Sequence, residues 1–213
     1  MHDEVLPGKT QSVLALIGER NILPDKTYLA GGTACALHLG HRISFDLDYY
    51  TPIEFNVESQ LHKIDSLNHN FKKSFTEDQT ILGDFPEIKF SLFYYSYPLV
   101  DKPELYFGNK IVGLKDIAAM KINAISDRGA KRDYVDLYFV MQKLNYRLTD
   151  ILNLYEEKFK ALASNKAHIL KSLVYFSDAD IDDDPKMLVD WNWTKIKRYF
   201  VLRVKELEKN NLQ

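Results

Sequence analysis

The chain reads as a mixed α/β (α+β) protein with a small mixed sheet in its first half and helices through its second, and three stretches predict this. HRISFDLDYY (41–50) alternates apolar and polar residues with the period of two that a strand imposes. IKFSLFYYSYPLV (88–100) is dense in aromatic residues and reads as a central strand that Pro98 bends or ends. From GLKDIAAMKINAISDR (113–128) onward, apolar positions recur every three or four residues, the spacing of helices that bury one face. The expected division is an α/β core over 1–110 and a helical region over 111–213 that completes a cleft.

The remaining elements follow in order. Val13, Leu14, Leu16 and Ile17 give residues 10–21 a helical apolar face. Tyr28-Leu29-Ala30 reads as a short strand ending in Gly31-Gly32, with Thr33 at the start of a short helix that Gly40 closes. In the stretch that follows, Ile43, Phe45, Leu47 and Tyr49 are expected behind the strand, and Ser44, Asp46 and Asp48 in front of it. Phe55, Val57, Leu61, Ile64 and Leu67 predict a helix over 53–75. TILGDF (80–85) reads as a turn or short strand, and LYFGNKIVG (105–113) as a short strand and turn. Gly129 separates the helix over 114–128 from a second over 132–144. ILNLYEEKFKALA, HILKSLVYF and the charged WNWTKIKRYFVLRVKELEKN tail read as further helices, and DADIDDDP (178–185) as a solvated acidic connection.

Composition sets bounds on function. With 213 residues, 46% hydrophobic and 27% charged, the chain can bury a substantial core. A net charge of −2 gives no overall basic signature of nucleic-acid binding, which leaves only a local basic cleft for that purpose. The single cysteine, Cys35, cannot form an intrachain disulfide. The polar residues after Met1 do not resemble a secretory signal, and no apolar run reaches the length of a membrane span. The expectation is a cytoplasmic protein without membrane contact.

The chemistry concentrates in three places. Asp46 and Asp48, two apart on a strand, present both carboxylates to one side, where they can bind a hard divalent cation such as Mg²⁺ or Mn²⁺ together with substrate phosphates. Two close like charges are costly unless a cation or hydrogen bonds offset them. Gly31, Gly32 and Thr33 sit just upstream at a strand-to-helix junction, where glycines permit close backbone approach and a helix start offers free N–H groups to phosphate. The turn is neither a GxGxxG fingerprint nor a Walker loop. Arg42 and Ser44 share the alternation of the aspartates, and Arg42 is placed to neutralise phosphate or to pair with Asp46. His41 is a hydrogen-bonding residue of the turn, since no Cys/His cluster at metal-site spacing accompanies it. In KINAISDRGAKRDYVDLYF (121–139), an uninterrupted helix would align Lys121, Arg128, Arg132 and Asp136 as one stripe, which Gly129 interrupts. Such cations facing a cleft offset the charge of a triphosphate, and Asp133 or Asp136 is placed to orient one of them.

LAGGTACALHLGHRISFDLDYY followed by DIAAMKINAISDRGAKRDYVDLYF closely resembles the AbiEii/AbiGii toxin family of nucleotidyltransferases, the toxin halves of abortive-infection toxin–antitoxin pairs. The resemblance runs from about Tyr28 to Phe139 and more loosely to WNWTKIK. It implies the nucleotidyltransferase fold related to DNA polymerase beta. Gly31, Gly32 and Thr33 then match the phosphate-facing turn, Asp46 and Asp48 the metal-binding pair, and Lys121 the lysine that contacts nucleotide. Asp136, with Asp133 as its alternative, matches the acid of the last motif. A nucleoside triphosphate substrate, an RNA, tRNA or protein acceptor and a cognate antitoxin are implied with it. One departure is visible. Relatives of this fold carry a third carboxylate on a later strand, whereas EIKFSLFYYSYP (87–98) offers Lys89 and Ser91, or in the other register Phe90 and Leu92, with Glu87 at its edge.

Two other readings compete. A degenerate member would bind nucleotide, RNA or a partner protein without turnover, which the missing acid favours and Asp46, Asp48 and Lys121 oppose. A metal-dependent phosphohydrolase or nuclease also uses paired aspartates, but the glycine turn and basic helix favour a triphosphate.

Overall fold

The computed structural model describes residues 1–67 and 69–210. A single turn of 3-10 helix (Asp3–Val5) leads into α1 (Gly8–Arg20). β1 (Tyr28–Leu29) passes directly into α2 (Gly31–Leu39), and β2 (Leu47–Thr51) is followed by α3 (Val57–Asp65). A meander of β3 (Lys72–Glu77), β4 (Thr80–Phe85) and β5 (Ile88–Tyr94) comes next, then the hairpin β6 (Glu104–Tyr106) and β7 (Asn109–Ile111). The rest is helical: α4 (Leu114–Arg128), α5 (Lys131–Leu144), α6 (Leu148–Phe159), α7 (Leu162–Ser172), α8 (Ser177–Ile181) and α9 (Trp193–Asn210).

The seven strands form one mixed sheet in the order β3-β4-β5-β2-β1-β7-β6. β2 runs parallel to β5, with Asp48 opposite Ser91 and Tyr50 opposite Phe93, and antiparallel to β1. This register selects Lys89 and Ser91 over Phe90 and Leu92 for the face that carries Asp46 and Asp48. Leu47, Tyr49, Phe90 and Leu92, on the opposite face, are buried in the core. α4 and α5 pack on each other, α2 packs against both, and α4 faces the side of the sheet that carries Asp46 and Asp48.

Two expectations are corrected. The helix predicted over 53–75 stops at Asp65. Asn56 caps its start by accepting from the Ser59 N–H, and beyond Leu67 the apolar spacing lapses, so Lys72–Glu77 pairs with β4 instead. The strand predicted from residue 41 begins only at Leu47. Upstream, the Ile43 N–H donates to Lys186 and the Ser44 N–H to Val5, so those backbone groups are satisfied outside the sheet. Ile43 and Phe45, both expected behind the strand, therefore line the same cavity as Asp46 and Asp48, with Phe45 44% exposed. The acidic stretch 178–185 is mostly exposed, as a solvated connection should be, and it is also anchored. Its first half is α8, and Asp180 accepts from Lys197 and Trp193 while Asp182 and Asp184 accept from Lys131. Glu87 lies in the β4–β5 turn at positive φ, paired with Lys9 on α1, and takes no place beside the aspartates.

Among the described residues, no helix is long and apolar enough to cross a membrane.

Candidate active-site cleft

The junction from β1 to α2 sets the site. Gly31 adopts φ +66, a conformation that side-chain-bearing residues rarely adopt, and a Cβ there would lie 2.7 Å from Asp48 Oδ2. A Cβ at Gly32 would collide with the guanidinium of Arg42. Both glycines thus let the start of α2, with its unpaired N–H groups, come up against the aspartate strand. Thr33 does something different from the phosphate contact expected of it. It is buried, it is absent from the cleft wall, and its hydroxyl bridges Ser44 Oγ, at 2.9 Å, and the Asp46 carbonyl. Its effect is to fasten the irregular 43–46 segment to α2.

The cleft between the sheet and α4 has a volume of about 590 Å³, within the range of small-molecule sites. Gly31, Gly32, Arg42, Ser44, Asp46, Asp48, Lys121, Arg128, Arg132 and Asp133 all line it, so nearly every residue singled out from the sequence meets in one place. Asp136 does not. It lies fully buried beneath the floor of the cleft.

Asp136 organises that floor. Arg42 donates to it through Nε and Nη2 at 2.7 and 2.9 Å, Lys121 Nζ sits 2.6 Å away, and His41 Nε2 lies 2.8 Å from Oδ1. Arg42 therefore pairs with Asp136 rather than with Asp46. Asp133 takes the other side of Lys121 at 2.7 Å and a bidentate grip on Arg128. The helical break at Gly129, which closes α4 in the left-handed conformation, makes this possible: α5 folds back, so Lys121 on α4 meets two acids from α5.

The electrostatics divide the acids into two kinds. Burial on its own would raise the carboxyls of Asp133 and Asp136, but the cations override it. Lys121 and Arg128 hold Asp133 below the usual carboxylate range, and Arg42 and Lys121 hold Asp136 well below it. Burial would lower the Lys121 ammonium, yet Asp133 and Asp136 raise it, so it stays charged. Asp48 moves the opposite way. Burial and then the neighbouring Asp46 push its carboxyl up, only partly offset by Ser91, Lys121 and Arg128. Among the described residues no cation forms an ion pair with Asp46 or Asp48, and both carboxylates open into the cleft.

A second grouping was not expected from spacing. Cys35, His41 and Asp136 bring one ligand atom each to within 4.8 Å of one another, an arrangement that could hold a metal ion. Its thiol and imidazole donors suit a soft ion, and its carboxylate is already held by Arg42 and Lys121. Asp46 and Asp48 offer only hard oxygen donors.

Other residues of the cleft were missed. Tyr50 continues the alternation of Asp46 and Asp48, and Phe93 that of Lys89 and Ser91. Carrying each alternation one step further would have placed both in the cleft wall, where the structure has them. The partnership of His41 and Arg42 with Asp136 spans more than ninety residues and leaves no local signal.

Comparison with known proteins meets this geometry. The family described as the nucleotidyl transferase AbiEii toxin of type IV TA systems matches residues 94–206. An uncharacterized protein of Aquifex aeolicus (strain VF5) is 36% identical over 192 residues, 86% of this chain and 88% of that one. The chain belongs to the AbiEii toxin family. The matched stretch holds Lys121, Arg128, Arg132, Asp133 and Asp136. The glycine turn and the aspartate strand precede it in sequence and are tied to it in space through Arg42 and Asp136.

Two solved structures share the fold. JHP933 from Helicobacter pylori superposes with a TM-score of 0.56 at 18% identity, over 97% of this chain and 96% of that one. MenT4, a nucleotidyltransferase toxin from Mycobacterium tuberculosis H37Rv, gives 0.55 at 14% identity, over 93% and 86%. This member of the family therefore has the mixed α/β nucleotidyltransferase fold with its helical C-terminal region.

Proposed function

We propose that the chain is a metal-dependent nucleotidyltransferase that moves a nucleoside monophosphate from a nucleoside triphosphate to a hydroxyl of an RNA acceptor, in the setting of a toxin–antitoxin pair. The observation that carries this reading is the convergence on one cleft of the Asp46–Asp48 carboxylates, a glycine-backed helix start and cations held by Asp133 and Asp136.

The donor set fits a hard divalent cation. Asp46 and Asp48 would hold Mg²⁺ or Mn²⁺ through hard carboxylate oxygens that stand two residues apart and line one cleft. When bound, such an ion neutralises phosphate oxygens and stabilises charge that develops on them. The protein's own groups supply the rest. The N–H groups at Gly31 and Gly32 donate to the terminal phosphates at the start of α2. Lys121 and Arg128, fixed by Asp133, bring permanent positive charge without reorganising. Arg42, fixed by Asp136, does the same beside Gly32. Asp136 acts as an orienting residue for Lys121 and Arg42. Its burial removes it from direct proton transfer. The acceptor hydroxyl attacks the α-phosphate and pyrophosphate leaves. Lys89 and Ser91 stand where relatives carry a third carboxylate, so no side chain of β5 serves as a base, and the hydroxyl proton passes to solvent or to Asp46.

Pyrophosphate release tests this directly. Release from a nucleoside triphosphate that requires added total RNA supports transfer. Release without any acceptor would mark the protein as a phosphohydrolase, and triphosphate binding without release would mark it as a binding module.

A further inference from the structure

The sheet face that carries the aspartates continues past them, and its character changes. Strand register places three rows on that face. Asp46 leads the first and stands next to the row of Lys89 and Asp84, Asp48 lies opposite Ser91 with Leu82 beyond, and Tyr50 lies opposite Phe93 with Thr80 beyond. The first two rows are mainly polar, and the third presents aromatic rings.

Those rings sit at the margin of the core, with Tyr50 and Tyr95 packed against it and still part-exposed to the cleft. The aromatic residues of the opposite face, Tyr49, Phe90 and Phe85, are 1% exposed each, whereas Tyr50, Phe93 and Tyr95 are half-buried and line the cleft. They are also held in place. Tyr50 contacts Phe93 with ring centroids 5.4 Å apart, Tyr95 at 5.1 Å, and stacks on buried Tyr28 at 6.1 Å. α4 supplies the facing wall through Met120, one residue before the Lys121 that holds the acids. The result is a slot with a fixed aromatic side and a flexible thioether opposite, a chemistry suited to a flat ring.

Position says which ring. Tyr50 follows Asp48 by two residues on the same face, about 7 Å along the strand. In a nucleotide one ribose separates the α-phosphate from the base. A phosphate held at Asp48 therefore puts its own base over the third row. We propose that Tyr50, Phe93, Tyr95 and Met120 form the nucleobase slot of the triphosphate substrate. This rests on the transfer reading above and adds the part of the substrate that reading leaves unplaced. Because rings rather than hydrogen-bonding groups dominate the slot, all four bases enter it, since stacking tolerates any base.

The test measures binding, not turnover. With Mg²⁺ present, the affinity of each nucleoside triphosphate is compared with that of inorganic tripolyphosphate for the wild-type chain and for Tyr50→Leu and Phe93→Leu. Tripolyphosphate reads the phosphate subsite alone and reports whether a variant remains folded. The expected result is that wild type prefers the nucleotides by 10-fold or more, that each variant loses about 5- to 100-fold of that preference, and that tripolyphosphate binding stays unchanged. Nucleotide binding unchanged in both variants overturns the slot and leaves the transfer reading intact. Weakened binding of a short RNA 3′ end with nucleotide binding unchanged also overturns it, by giving the rings to the acceptor. Failure of wild type to bind either phosphate ligand overturns both readings.

Discussion

The chain carries two pairs of closely spaced aspartates within one cleft region, and their fates are opposite. Asp133 and Asp136, on α5, are buried and fully answered by Lys121, Arg128, Arg42 and His41. Asp46, just before β2, and Asp48, within it, face the cleft and form no ion pair among the described residues, and burial with the neighbouring Asp46 pushes the Asp48 carboxyl upward. In sequence the two pairs look alike. What separates them is where cations lie in space: the α4–α5 fold-back brings Lys121 and Arg128 into direct contact with Asp133, whereas they act on Asp48 only from a distance. The first pair builds the scaffold of the cleft, and the second is what a metal ion would complete.

That contrast predicts opposite responses to removing charge. Asp46→Asn with Asp48→Asn should cost about 1,000-fold or more in transfer, the scale of several kcal/mol of lost charge stabilisation, while thermal unfolding shows equal or greater stability because two like charges are relieved. A variant that lost stability as well would erase the distinction between the pairs. Asp136→Asn should do the reverse in denaturant titration. It leaves Arg42 buried without its carboxylate partner and Lys121 with Asp133 alone, at a cost of about 3–5 kcal/mol.

A third buried pair sharpens the comparison. Lys158 on α6 contacts Asp116 on α4 at 2.7 Å, both fully buried, and Asp116 also accepts from the N–H groups of Val100 and Asp101. It pins the crossover after β5, and neither residue lines the cleft. Lys158→Met should cost about 3 kcal/mol of stability yet change activity per folded molecule only a few-fold. A thousand-fold loss of activity in that variant would mean that buried ion pairs here are not separable into scaffold and site.

The smallest effect is in pH. Asp133 and Asp136 have carboxyls lower in the folded chain than the unfolded value of about 3.9. The stability they contribute is present in full above that value and is lost as pH falls through their folded values. Urea midpoints measured below about pH 4 should therefore fall steeply, and Asp136→Asn should flatten the slope by up to about 1.4 kcal/mol per pH unit, one proton's worth. An unchanged acid limb would show that Asp136 is not held ionised by its cations.

How much of this was legible beforehand follows from range. Local patterns gave the strands at Tyr28 and Ile88, the break at Gly129 and the helices after it, because caps, glycines and periodicity act within a few residues. The early end of α3 and the late start of β2 were not legible. Both depend on distant partners, β4 for Lys72–Glu77, and Val5 with Lys186 for residues 43–44. Within the cleft, residue types marked Asp46, Asp48, Lys121 and Arg128. That Thr33 turns inward and that Arg42 answers to Asp136 rather than Asp46 required the fold, since those contacts join α2 to a loop and a loop to α5. Lys89 and Ser91 against Phe90 and Leu92 was a question of register, which a single strand cannot answer for itself.

The most direct test of the account incubates the purified chain with Mg²⁺, total RNA and each nucleoside triphosphate labelled at its α-phosphate, beside the Asp46→Asn/Asp48→Asn variant. The account predicts labelled RNA with wild type, none with the variant, and equal folding of the two. Labelled RNA formed equally by both proteins would contradict it, because the Asp46–Asp48 pair would then have no part in the chemistry.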